Sequence, residues 1–157
     1  MEYINHQLIL LLNNFVFIAV FCSWFLAQSI KTIIYWILEK ELNIWHFFEA
    51  GGMPSTHSAT VIALTLSIFL TQGLGSPLFV ISSVFSLIVM YDATGVRRSA
   101  GKQAEILNKI MEDIYSNEKI KKQKLKEILG HDPVEVVIGG TMGIIVTLIL
   151  YYVYFIR

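Results

Sequence analysis

Charge is confined along this chain, and the confinement limits what it can fold into. Of its 12 lysines and arginines, nine lie at positions 97–126, while 8–27 and 136–156 carry no charged residue. Those two runs are 20 and 21 residues long. About 20 consecutive apolar residues are enough to cross the hydrocarbon core of a bilayer as a helix. Only 15% of the chain is charged, where a soluble domain carries roughly 25%, and the mean hydropathy is +0.61. The zero net charge averages two environments, a lipid-facing part and one basic loop, and excludes neither.

Two shorter apolar runs, 57–71 and 77–91, flank a turn containing Gly73, Gly75 and Pro77, which suits a tight helical hairpin. The fold expected is an all-α integral membrane helical bundle. It has about four transmembrane helices, at about 8–28, 54–72, 76–95 and 134–156. One or two cytosolic helices lie in the basic loop 96–131, and the whole chain, 1–157, forms one domain. Within that loop Ala104, Leu107, Ile110, Met111 and Ile114 recur at helical spacing, and 116–130 repeats the pattern with more lysine. The segment 30–50 reads as a continuation of the first helix followed by an interfacial stretch, with Trp36 and Trp45 at the level tryptophan favours. Asn13 and Asn14 read as hydrogen-bond formers between helices, and Gly139 with Gly143 as a close helix contact. The lone Cys22 makes no internal disulfide and no metal site. With no lysine or arginine before the first apolar run, a cleavable signal peptide is not expected.

Loops rich in lysine and arginine stay in the cytoplasm. That rule puts 96–131 inside and, with four spans, both termini outside. Polar groups then gather at the cytoplasmic face: Lys31, the "GGMPSTHS" before the second span, "YDATGVRRSAGK" after the third, and "GHDPVE" before the fourth. Two histidines, several cations and two helix N-termini converge there, and helix N-termini with cations make an anion site. The ligand implied is a phosphate. Plain structural roles compete for some of these residues. Pro54 is an ordinary helix starter. Asp132, Pro133 and Glu135 fit N-cap, N1 and N3 of a capping box. Asp92 fits a structural partner for Arg97 or Arg98 as well as a site residue, and the two arginines fit simple topology signals.

The stretches "GGMPSTHSA" (51–59), "YDATGVRRSAGKQAEILN" (91–108) and "KEILGHDPVEVVIGG" (126–140) resemble the divergent branch of the type 2 phosphatidic acid phosphatase superfamily, which is related to acid phosphatases and vanadium-dependent haloperoxidases. The superfamily pattern is K-x6-R-P, then P-S-G-H, then S-R-x5-H-x3-D. Here "PSTH" matches the second motif with Thr56 in place of glycine, and His131 with Glu135 gives H-x3-E. Lys124 and Leu125 stand where Ser-Arg is expected, and no Arg-Pro follows Lys31 at the motif spacing.

The resemblance implies hydrolysis of a lipid or polyprenyl phosphate monoester without metal or other cofactor. His131 would be the nucleophile, Glu135 would orient it, and His57 would act as the general acid. Ser55, Thr56, Gly52 and Lys31 would bind the phosphate. Arg97, Arg98 and Lys102 would stand in space for the missing motif arginines. The partners expected are the lipid phosphate substrate and membrane lipids, with no nucleic acid, and a homo-oligomer is compatible. The alternative is a non-catalytic membrane protein that binds anionic lipid or a protein partner through its basic loop. A small transporter or channel subunit fits worst, because no span carries a central charge.

Overall fold

The computed structural model describes residues 1–40, 47, 51–114 and 131–157, with backbone only at 96–98 and 112–114. The described residues form helices and turns, with no strand among them. In chain order the helices are α1 (Glu2–Leu12), α2 (Phe15–Glu39), α3 (Thr56–Gln72), α4 (Pro77–Thr94), α5 (Val96–Ile114) and α6 (Pro133–Tyr151), and α6 runs into a π-helical turn, Tyr152–Ile156. Three stretches are long and apolar enough to cross a membrane: Phe15–Glu39, Pro77–Met111, whose apolar part is α4, and Pro133–Ile156.

The apolar run that begins at Leu8 is divided, which the sequence reading of a helix over 8–28 did not foresee. Asn14 ends it by capping α2, its Oδ1 accepting the N–H groups of Val16 at 2.9 Å and Phe17 at 3.2 Å. An asparagine side chain substitutes for a backbone acceptor, and this makes it a strong N-cap. Asn13 bonds locally to the Ile9 carbonyl, and its own carbonyl accepts the Tyr154 hydroxyl at 2.7 Å. Neither asparagine side chain therefore bridges helices as expected. Helix α2 then runs 25 residues, roughly 37 Å at 1.5 Å per residue, longer than the ~30 Å hydrocarbon core. Trp36 sits exposed near its end. Trp45, and the helix expected over 116–130, lie outside the described residues.

Helix α3 is the hub, packed by α2, α4 and α6. At 17 residues it spans about 25 Å, and Ser58, Ala59, Ala63 and Ser67 along it have no exposure. Small side chains let neighbours approach closely, which is how helices associate where lipid removes most of the hydrophobic drive. The closest approach is to α6, where a Cβ on Gly139 would strike the Ser55 carbonyl and one on Gly143 the Ala59 carbonyl. Toward α4 the seam is polar. Ser86 donates to the Val61 carbonyl at 2.9 Å, and Thr65 donates to the Ser82 carbonyl at 3.1 Å. The outer faces are apolar, with Leu87, Ile88, Ile145 and Ile149 all exposed. A water-soluble monomer would not leave so much apolar surface uncovered.

Candidate functional site

Two helix starts meet at one end of the bundle. Asp132 caps α6 with Pro133 in its first turn, and Glu135 completes a capping box by accepting the Asp132 N–H at 3.2 Å. The same Glu135 oxygen, Oε2, lies 2.9 Å from Nδ1 of His131. One carboxylate thus serves the helix start and the histidine together. His131 is 3% exposed and stands just outside the helix, one residue before the cap. Its backbone N–H donates to the Ala93 carbonyl in the last turn of α4 at 3.0 Å, and the Ser55 N–H donates to the Glu135 carbonyl at 3.1 Å. These two backbone bonds tie the ends of α3, α4 and α6 around the histidine.

Helix α3 brings the second histidine. Ser55 is its N-cap, fully buried, with its hydroxyl accepting from the Ser58 N–H at 3.4 Å and from the Ser58 hydroxyl at 3.0 Å. His57 follows in the first turn, half-buried. Its ring lies 5.9 Å from that of His131, centroid to centroid, at an interplanar angle of 62°. The two rings thus stand edge to face at the same end of the bundle. With Nδ1 of His131 engaged by Glu135, Nε2 is the nitrogen left for other chemistry.

The model of the divergent PAP2 family matches residues 12–146, a range that takes in His57, His131, the whole of α2 to α5 and α6 as far as Val146. The chain belongs to the divergent PAP2 family. The uncharacterized membrane protein YuiD of Bacillus subtilis (strain 168) is 44% identical over 153 residues, covering 90% of this chain and 97% of that protein. No solved structure matches the chain.

In this divergent PAP2 chain the remaining candidates are dispersed unevenly. Lys31 is not at the end of a span: α2 continues two turns past it, and the side chain is 1% exposed. Burial that deep requires compensation of the ammonium charge. One turn earlier on the same face, Gln28, 7% exposed, accepts the Thr56 hydroxyl at 3.1 Å through Oε1. This links the middle of α2 to the start of α3 beside His57. The sequence reading did not select Gln28. Its signal was a lone amide three residues before Lys31 in an otherwise apolar helix, where a polar side chain is costly unless paired.

Gly52 has φ +79°. The space where its Cβ would sit is occupied by the Tyr35 hydroxyl, 2.6 Å away, so the glycine admits a tyrosine from α2. Asp92 is half-buried, next to the Ala93 carbonyl that holds His131. Lys102 is exposed on α5, as is the Lys109–Glu105 ion pair at 2.7 Å. Arg97 and Arg98 fall in the first turn of α5, directly after the Gly95 elbow, and their side chains lie outside what is described. Among the described residues no three His, Cys, Asp or Glu side chains gather closely enough to hold a metal ion.

Proposed function

We propose that this protein is a multi-pass membrane phosphatase that hydrolyses a lipid or polyprenyl phosphate monoester at its cytoplasmic face, with α3 as the fourth span. The observation that carries the reading is the His131–Glu135 contact of 2.9 Å, with the His57 ring 5.9 Å from that of His131. A carboxylate on Nδ1 fixes the imidazole tautomer and leaves Nε2 with its lone pair outward, the arrangement a nucleophilic histidine needs.

In the first step Nε2 of His131 attacks phosphorus and the bond to the lipid oxygen breaks. The leaving alkoxide takes a proton from His57. Glu135 balances the positive charge on His131 as the N–P bond forms. In the second step water, deprotonated by His57, attacks the phosphohistidine, the N–P bond breaks, and inorganic phosphate leaves. N–H groups at the start of α3, Lys31 and the cations that open α5 would balance the oxygens of the transferring phosphoryl group. The nine cations at 97–126 support the cytoplasmic orientation.

The decisive experiment is phosphate release by purified protein from a panel of phosphatidic acid, phosphatidylglycerol phosphate and polyprenyl phosphate. It is run beside His131→Ala and with acid-quenched trapping of the phosphoenzyme. Turnover and a phosphohistidine in the parent, both absent from His131→Ala, are expected. Full activity in His131→Ala would remove the assignment. No turnover of any lipid, with salt-sensitive binding to anionic vesicles, would favour the non-catalytic reading.

A further inference from the structure

We propose that the cleft between α4 and α6 holds a hydrocarbon chain of the substrate, which therefore reaches the two histidines sideways from the bilayer. The proposal rests on the phosphatase reading above and adds the route and the subsite. The cleft is a shallow groove open on its outer side, with a volume of about 550 Å³, lined by Leu87, Ile88, Met90, Tyr91 and Thr94 of α4, of which Leu87, Ile88 and Tyr91 are exposed, and by Val136 of α6. Small-molecule sites occupy roughly 300–1,000 Å³.

Both walls of the cleft end at the site. Val136 is bonded directly to Glu135, the partner of His131. Ala93, between Tyr91 and Thr94 on the other wall, supplies the carbonyl that holds the His131 N–H. The lining follows α4 from Leu87 to Thr94, roughly 10 Å, most of one leaflet's share of a ~30 Å core. Bulk lipid covers every outer face of such a bundle. This cleft differs in adjoining, through Val136 and Ala93, the two residues that hold His131.

The α3–α6 and α2–α3 seams are tighter. The α3 and α6 backbones touch at Gly139 and Gly143, leaving no width for a chain. Helix α2 presents Ala19, Ser23 and Ala27 with no exposure, and closes onto α3 through the Gln28–Thr56 bond. Helix α4, by contrast, packs mainly on α3 and only lightly on α6. The direction also suits an amphiphile. At the α4–α5 elbow a second recess of about 490 Å³ carries Ser99 and Gln103 and shares Tyr91 with the apolar cleft. A tail along α4 would have its polar end toward the elbow and the histidines.

The test uses the full chain reconstituted in phosphatidylcholine vesicles. Phosphatidic acid and a polyprenyl phosphate, each with a photoreactive group on a hydrocarbon chain, are compared with phosphatidylcholine bearing the same group, and adducts are mapped by mass spectrometry. A phosphate-bearing probe should label 87–94 and Val136 severalfold more than the phosphatidylcholine probe, and Thr94→Trp should abolish the excess. Equal labelling by all three probes, or an excess on another seam, overturns the cleft whether or not lipid is hydrolysed. Absence of hydrolysis alone overturns the phosphatase reading and leaves labelling to decide the cleft. Where turnover is seen, Thr94→Trp should lower the ratio of kcat/KM for long-chain over short-chain phosphates roughly tenfold, the effect of losing burial of about two methylenes. An unchanged ratio counts against the cleft.

Discussion

Oε2 of Glu135 stands 2.9 Å from Nδ1 of His131 and 3.2 Å from the backbone nitrogen of Asp132. The helix start and the His131 ring share one acceptor, so a substitution that keeps an oxygen there separates the two roles. Glu135→Gln retains an acceptor for the Asp132 N–H and loses the negative charge facing the imidazole. It should leave the protein folded, by unchanged thermal inactivation in detergent. It should lower kcat by about 10²–10⁴-fold, the range such groups command. The phosphoenzyme should form more slowly in rapid-quench measurements. Near-parental kcat in Glu135→Gln would show that the carboxylate only caps α6.

The contact of Gly139 with the Ser55 carbonyl gives a stability prediction with its own control. Gly139→Ala would force α3 and α6 apart at the residue that caps the His57 helix. Overpacking of this kind costs about 1–3 kcal/mol, and activity should fall with it. At Gly140 an added Cβ meets only a side-chain carbon of Ile62 at 3.6 Å, an ordinary contact. Gly140→Ala should therefore keep its thermal midpoint. Equal effects of the two substitutions would mean that the tight crossing does not set the stability of this end.

Thr56 and Gln28 form a buried pair between α3 and α2. Thr56→Val leaves the amide oxygen without its donor, and a stranded buried polar group costs about 1–3 kcal/mol. Gln28→Leu strands the hydroxyl instead. The double variant strands neither, so it should be less destabilised than the sum of the singles, measured as a double-mutant cycle on thermal inactivation. Strict additivity would mean that the bond contributes nothing.

Much of this site is legible in the chain because its residues are near neighbours in sequence. His131 and Glu135 are four apart, and the capping box that includes Glu135 is itself a sequence pattern. Gly139 and Gly143 announce a close crossing by their spacing alone. The Asn14 cap was misread because an asparagine in an apolar run looks the same whether it bridges helices or ends one. Only the geometry of Val16 and Phe17 decides between them. Lys31 and Gln28 were harder still. Their value depends on α2 continuing to Glu39 and pressing that face on α3, a long-range packing outcome that no local pattern encodes.

Orientation can be checked without any assay of activity. Ser116→Cys in a Cys22→Ala background puts a single thiol in the basic stretch. In intact cells a membrane-impermeant maleimide should fail to label it, and labelling should appear once the membrane is opened. Labelling from outside would reverse the orientation and move the substrate pool to the outer leaflet.

Metal and anion dependence separates the phosphoryl-transfer mechanism from its rivals at least cost. The proposed chemistry takes its nucleophile from His131 and its proton from His57, and uses cations and helix N–H groups to stabilise charge. None of those groups requires a divalent ion to act. Phosphate release should therefore persist in excess chelator. Vanadate, which adopts the five-coordinate geometry of phosphorus in transfer, should inhibit by binding at the two histidines. His131→Ala should lose vanadate binding, measured on the inactive protein by protection of His57 from chemical modification. Arg97→Ala and Arg98→Ala should each weaken inhibition about 12- to 160-fold if their side chains reach the phosphoryl oxygens, as loss of a charged hydrogen bond worth about 1.5–3 kcal/mol implies. Activity that disappears with chelator and returns with magnesium would overturn the histidine mechanism. Unchanged vanadate inhibition in both arginine variants would transfer the charge-stabilising role to Lys31 and the start of α3.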